Sequence, residues 1–166
     1  MAKATLTHVD RDGRLRMVDV GDKAVTAREA VASGHVALSA ATRRAVRDGR
    51  LKKGDPLQAA RLAGIMAAKR TSDIVPLCHP IALTGIDVDL THTSRGIAIR
   101  AAVRTAGQTG VEMEALTAVS AAALTVYDML KAIDKGMVIE RVQLEEKRGG
   151  RSGEYRRRPR ARRTTR

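Results

Sequence analysis

Residues 110–136 read GVEMEALTAVSAAALTVYDMLKAIDKG, and this stretch decides the fold. Its spacing predicts one long helix between Gly110 and a stop at Gly136. At about 100° per residue, Ala115, Val119, Ala122, Ala123, Val126, Met129, Leu130 and Ile133 fall on one side and form a core face. The opposite stripe gathers Glu114, Thr117, Ala121, Thr125, Asp128, Lys131 and Lys135. A solvated stripe normally carries long charged side chains throughout. Here the middle is small and the charges sit towards the ends, so something is expected to lie across the helix: another chain, a sheet or a ligand.

Working outward, the C-terminal neighbour is a strand, residues 137–146, with Val138, Val142 and Leu144 inward. On the N-terminal side two runs alternate. Ile86, Val88 and Leu90 interleave with Asp87, Asp89 and Thr91. Ile97, Ile99, Ala101 and Val103 interleave with Ala98, Arg100, Ala102 and Arg104. Period-two alternation over two runs joined by His92–Gly96 is a β-hairpin. Further back, Ser39 caps a short helix, residues 40–48, which Gly49 stops. Asp55 caps a second, with Pro56 in the first turn, where proline costs nothing. That helix runs to about Arg70. Its Ala60, Ala63, Gly64, Ala67 and Ala68 suit close packing. Residues 25–38 read as a strand. In TSDIVPLCHPIAL (71–83), Pro76 and Pro80 bracket Cys78 and His79, which excludes a regular helix and leaves a stiff loop presenting a histidine.

The order strand, two helices, two strands, helix, strand is an α+β layout: an antiparallel sheet with helices packed on one face, compatible with the ferredoxin-like βαββαβ motif. Residues 1–22, polar and rich in turn signals, read as an arm that orders on a partner chain. Residues 23–155 form a single α+β domain, and residues 156–166 a basic disordered tail.

Composition sets further bounds. The 166 residues contain no Phe or Trp and only Tyr127 and Tyr155 as aromatics, so the core is aliphatic. The single Cys78 excludes an internal disulfide and fits a reducing compartment. No apolar run approaches the roughly 18 residues of a membrane span, and the first residues lack a signal-peptide core. A cytoplasmic protein without a membrane partner is expected. Net charge is +13, but residues 147–166 hold ten Lys or Arg against Glu154 alone. The strands lack the aromatic side chains on which bases stack. Nucleic acid is therefore expected only as a non-specific contact of the basic tail.

Several residues carry candidate chemistry. His79 stands in the proline-framed loop. No second Cys or spaced His completes a zinc set with Cys78 and His79. Asp128 and Lys131, three apart on one helical face, can touch. A surface ion pair is the plain reading. Partial desolvation would instead lower the Lys131 pKa towards an acid–base role, with Asp128 holding it. Glu112 and Glu114 flank Met113 at the helix start. They either complement the helix dipole or face a guanidine-like substrate edge. Lys53, and Lys147 with GGRSG (149–153), are candidate anion contacts. The P-loop and dinucleotide fingerprints are absent.

Three strings go further: AGIMAAKRTSDIVPLCHPIALTGIDVDL (63–90), TGVEMEALTAVSAAALTVYDMLKAIDKGM (109–137) and KRGGRSGE (147–154). Together they closely resemble the cyclic pyranopterin monophosphate synthase family of molybdenum-cofactor biosynthesis, over roughly residues 15–155. The resemblance implies a ferredoxin-like lyase that rearranges a cyclic dihydro-GTP intermediate into a pyranopterin and closes a cyclic phosphate, releasing pyrophosphate. It also implies a homohexamer, a trimer of dimers, with sites at subunit interfaces. By the same resemblance, Asp128, Lys131 and Lys53 are catalytic, Lys131 doing acid–base work on the purine-derived rings. Leu77, Cys78, His79, Glu112, Met113, Glu114 and Lys147 bind substrate: His79 and Lys147 with the glycine loop at the triphosphate, Glu112 and Glu114 at the guanine-like edge. No cofactor is required and no metal ligand set is expected, though Mg²⁺ can accompany the substrate triphosphate. Arg151 stands where the family commonly has Lys.

Overall fold

The computed structural model describes residues 8–10, 12–49, 54–151 and 153–158. Its elements are β1 (Thr26–Ala37), α1 (Ala40–Arg47), α2 (Pro56–Ala68), α3 (Thr71–Ile74), β2 (Leu83–His92), β3 (Gly96–Gly107), α4 (Glu112–Leu130), β4 (Val138–Arg148) and β5 (Tyr155–Arg156). All pairings are antiparallel in the order β2-β3-β1-β4-β5. Without β5 this is the strand order of the ferredoxin-like motif, and the α+β expectation holds.

The predicted caps form. Ser39 Oγ accepts from the Thr42 N–H, and Asp55 Oδ1 accepts from Leu57 and Gln58. Gly49 takes the left-handed φ of +66° that ends α1. Asp134 Oδ2 accepts the Ser39 N–H at 2.8 Å, tying the start of α1 to the chain beyond α4. That bond, ahead of the cost of burial, holds the Asp134 carboxyl below its ordinary range.

The helices cover one face of the sheet. α4 lies on β1 and β3 and packs along α2. Small residues set the spacing. A Cβ on Gly64 would sit 2.9 Å from the Ala118 carbonyl oxygen, and one on Gly34 would sit 2.6 Å from Val119 Cγ1. Ala115, Ala118, Val119, Ala122, Ala123, Val126 and Leu130 are buried against Ala30, Ala32, Val36, Ile97, Ile99, Ala101 and Val103. α4 is also long and apolar enough, by length and composition, to cross a membrane. No run of that kind was expected from the sequence. Its burial against α2 and the sheet makes it the core helix of this domain.

Four expectations change. α4 ends at Leu130, because the N–H groups of Ile133 and Asp134 both close onto the Leu130 carbonyl in a tightened turn. Ile133 therefore leaves the core face and is 56% exposed. In β4 the register shifts twice against β1, between Val31 and Ala32 and between Ser33 and His35, and Arg141 adopts φ +56°. These bulges break the period-two pattern. Val138 and Val142 are exposed, and Ile139 joins Leu144 against the core.

The third change is in TSDIVPLCHPIAL, whose first four residues form the single-turn α3 before the loop begins. The fourth concerns the basic end. Tyr155–Arg156 pairs with β4, Arg156 bridges Glu146, and the Arg157 N–H donates to the Glu145 carbonyl. The ordered chain thus runs past the boundary expected at residue 155. The rest of the predicted tail, 159–166, lies outside the described residues.

Candidate active site

The loop after α3 turns at once, the Cys78 N–H donating to the Val75 carbonyl. It brings Leu77, Cys78 and His79 against the first turn of α4. There they meet Glu112, Met113 and Glu114 around a cleft of about 410 Å³. Glu114 is only 4% exposed. Burial, opposed by its own backbone N–H and reinforced by the Glu112 charge, pushes its carboxyl above the ordinary 4.5. Burial and then the Glu114 charge push the Cys78 thiol up as well. Cys78 therefore stays a thiol, and its environment is the reverse of one that makes a nucleophilic thiolate.

Part of the N-terminal arm closes this cleft. His8, Val18, Val20 and Lys23 line it. His79 Nε2 donates to the Val18 carbonyl at 2.8 Å, which leaves Nδ1 for a ligand. Gln108 Nε2 donates to the Gly21 carbonyl at 2.8 Å. These two bonds seat Val18 and Gly21 of the arm on its own chain. Sequence reasoning missed these residues because a polar, turn-rich stretch carries no periodicity.

A second cleft of about 220 Å³ continues from the first, sharing Lys23, Thr109, Gly110 and Glu112 with it. Lys147, from β4, points its Nζ to 3.5 Å from Glu112 Oε1. Gly110 leaves the room into which the Glu112 carboxylate folds back; any Cβ there would collide with it. Leu77, Cys78, His79, Glu112, Met113, Glu114 and Lys147 are therefore one constellation.

Asp128 and Lys131 are not part of it in a single chain. They sit at the far end of α4, Asp128 16 residues and Lys131 19 residues from Glu112, or about 24 and 28 Å at 1.5 Å per residue. Lys131 Nζ is 2.7 Å from Asp128 Oδ1, with side chains 56% and 63% exposed. The hydrogen bond that Lys131 donates to Asp128, then the Asp128 charge, raise the Lys131 pKa. Desolvation, which lowers it, ranks behind both, so Lys131 stays a charged ammonium in the isolated chain. Lys53 lies outside the described residues.

A hollow of about 1000 Å³ lies on the uncovered face of the sheet, between His35, Asp89, Arg95, Arg100 and Glu145. None of the predicted site residues lines it. Its polar groups are largely committed to one another: His35 to Glu140 and Thr93, and Ser33 to Glu145. The smaller clefts gather buried, perturbed groups from three segments, which is the better mark of a site. Among the described residues no three His, Cys, Asp or Glu are grouped to hold a metal ion.

The sequence profile of the MoaC family matches residues 17–150. A protein of Thermomicrobium roseum named cyclic pyranopterin monophosphate synthase is 58% identical over 156 residues, covering 93% of this chain and 94% of the relative. Relatives of the same name from Heliobacterium modesticaldum and Parvibaculum lavamentivorans are 59% and 54% identical. They span 90% and 93% of this chain, and 96% and 98% of their own lengths.

Proposed function

The chain belongs to the MoaC family, and we propose that it is a cyclic pyranopterin monophosphate synthase, a lyase that converts 3',8-cyclo-7,8-dihydro-GTP to cyclic pyranopterin monophosphate and pyrophosphate in molybdenum-cofactor biosynthesis. The observation that carries this reading is the convergence of the Cys78–His79 loop, the Glu112–Glu114 turn and Lys147 on one joined cleft. An acidic, partly buried pocket adjoins a basic one, as a substrate with a donor-rich ring edge and a polyphosphate requires.

Glu112 and Glu114 accept hydrogen bonds from the N–H groups of the guanine-like edge. Those donors offset the burial that raises Glu114. Lys147 and the glycine loop face the phosphates. In the closing step a sugar hydroxyl oxygen attacks the α-phosphorus and gives its proton to a base. The bond from the α-phosphorus to the bridging oxygen breaks, and its electron pair leaves on pyrophosphate. Fixed cations near that oxygen stabilise the charge as it develops. Mg²⁺ arrives, if at all, with the triphosphate.

Lys131, oriented by Asp128, serves as acid–base group on the rings. Its position five turns from Glu112 supports a reading in which a second copy supplies it, since a general acid must come within about 3 Å of its target. A trimer of dimers with interfacial sites, working in the cytoplasm, completes the reading, and Lys53 joins the site in that assembly. The test is turnover of the cyclic dihydro-GTP intermediate by the purified protein, with both products followed by mass spectrometry. Product from wild type and none from a folded Lys131→Ala is expected. A folded, oligomeric wild type without product would overturn the assignment.

A further inference from the structure

The chain beyond Lys147 turns back on itself. β4 and β5 form a hairpin, with Glu146 opposite Arg156 and Lys147 opposite Tyr155. On the other edge of β4, Lys147 is paired with Ala30 of β1. The backbone of Lys147 is therefore held from both edges of its strand. Gly149 lies so close to β1 that a Cβ on it would strike the Ala27 carbonyl. Gly149 and Gly150 hold left-handed φ of +86° and +76°, and the Gly153 N–H closes onto the Gly150 carbonyl at 3.1 Å. Glycine loses more freedom on ordering than any other residue, so such a turn keeps its shape only if both of its ends are restrained.

β5 restrains the far end, yet a ladder of two residue pairs is too short to hold by itself. Two arginines complete the closure. Arg157 donates twice to β4: its backbone N–H to the Glu145 carbonyl and its Nε to the Leu144 carbonyl, each at 2.8 Å. These bonds satisfy two carbonyls that an open strand edge would leave to water. Arg156 sends Nε and Nη2 to Glu146 Oε1 at 3.2 and 3.1 Å. That contact, the first of its causes, holds the Glu146 carboxyl below its ordinary range. Arg156 is exposed, so its ion pair is the weaker restraint. Arg157 is half-buried and is the stronger. Both lie past residue 150, where the match to the family profile ends.

We propose that Arg156 and Arg157 are positioning residues: they clasp β5 onto the outer edge of β4 and so hold Lys147 and the Gly149–Gly150 turn in place before substrate arrives. The proposal rests on the synthase reading for what the cleft binds. Neither arginine lines the cleft, and no bond is made or broken by them. Their effect is preorganisation. A segment already ordered loses less freedom when a ligand meets it, so opening the clasp weakens binding. Once substrate is bound the same contacts form, so KM rises while kcat is kept.

The experiment pairs hydrogen exchange of the full-length protein, read by mass spectrometry over residues 144–150, with steady-state kinetics on the cyclic dihydro-GTP intermediate. Arg157→Pro removes both bonds of Arg157 at a sheet edge, where proline is otherwise tolerated. It should speed exchange of residues 147–150 and raise KM by about fivefold or more, with kcat within about twofold of wild type. Arg156→Glu should do the same to a smaller extent, and serves if Arg157→Pro fails to fold. Arg156→Lys, which keeps the ion pair, should stay near wild type in both readouts. Arg158→Ala removes one charge from the same segment without touching the clasp and should change neither. Exchange as in wild type in Arg157→Pro and Arg156→Glu overturns the proposal. So does an unchanged KM in Arg157→Pro, whatever kcat does, or a KM in Arg158→Ala raised as far as in Arg157→Pro. Clasp-dependent exchange in a protein that turns over nothing would uphold the clasp and sink the synthase reading. Turnover with clasp-independent exchange would do the reverse.

Discussion

Two inactive variants mixed together should make an active enzyme. Glu112 and Lys131 stand about 28 Å apart along α4, at 1.5 Å per residue over 19 residues, and that helix is rigid, packed on α2, β1 and β3. No side-chain rotation closes such a gap, so the proposed site takes its ring-binding half from one chain and its Lys131–Asp128 half from another. Glu112→Ala and Lys131→Ala should each lose activity by about 100-fold or more, the usual scale for a positioned acid–base group. Refolded together at equal concentration, the chains assort at random in a symmetric oligomer. A given site then has an intact ring-binding half with probability one half and an intact Lys131 half with probability one half. About one quarter of the sites are whole, so the mixture should recover about 25% of wild-type activity. Were the site built within one chain, every site would carry a lesion and the mixture would stay near 1%. The readout is product formation against mixing ratio, with heteromers confirmed by native mass spectrometry of a mass-tagged chain. Confirmed heteromers whose activity equals the mean of the parents would refute the interfacial site. So would a dilute, monomeric wild type that turns over at full rate.

Other outcomes follow from particular contacts. Glu114 is held above its ordinary 4.5 by burial. A raised pKa contributes stability that is full below the unfolded value and is lost as pH rises through the folded one. Glu114→Gln should therefore melt higher than wild type near neutrality, the advantage vanishing towards about pH 4, while substrate binding is lost; melting curves that run parallel over that range would refute the assignment. Gly34→Ala places a Cβ 2.6 Å from Val119 Cγ1, an overlap costing about 1–3 kcal/mol and several degrees in thermal melting. Val119→Ala in that background should return part of the loss, and a double-mutant cycle without coupling would show that the two do not meet.

The elements that sequence reading located best are those whose cause is local. The caps at Ser39 and Asp55, the proline at the first turn of α2, the left-handed Gly49 and the alternation of β2 and β3 depend on a few consecutive residues, and each lies where its chemistry places it. The strand order follows from the order of elements, because an α+β chain of this kind has few ways to bury one face of its sheet. The Leu77–His79 loop, Glu112–Glu114 and Lys147 were legible as residues, and the structure brings them together.

What the chain alone left open depends on partners distant in sequence. The inward residues of β4 were misread because its bulges are set by pairing with β1, and period-two patterning holds no record of an extra residue. The true end of α4 is fixed by a local turn whose Asp134 is anchored to Ser39, nearly a hundred residues away. Val18 meets His79 only because the arm crosses the loop. The pKa values of Glu114 and Lys131 are both raised but from different causes, burial for Glu114 and the Asp128 carboxylate for Lys131, since a pKa answers to surroundings and not to residue type. Sequence by itself determined the caps, the β2–β3 hairpin, the α+β layout and the residue types around Glu112. Tertiary structure alone decided that Lys131 is solvent-exposed while Glu114 is buried, because burial depends on what packs against each end of the helix and not on the helix itself.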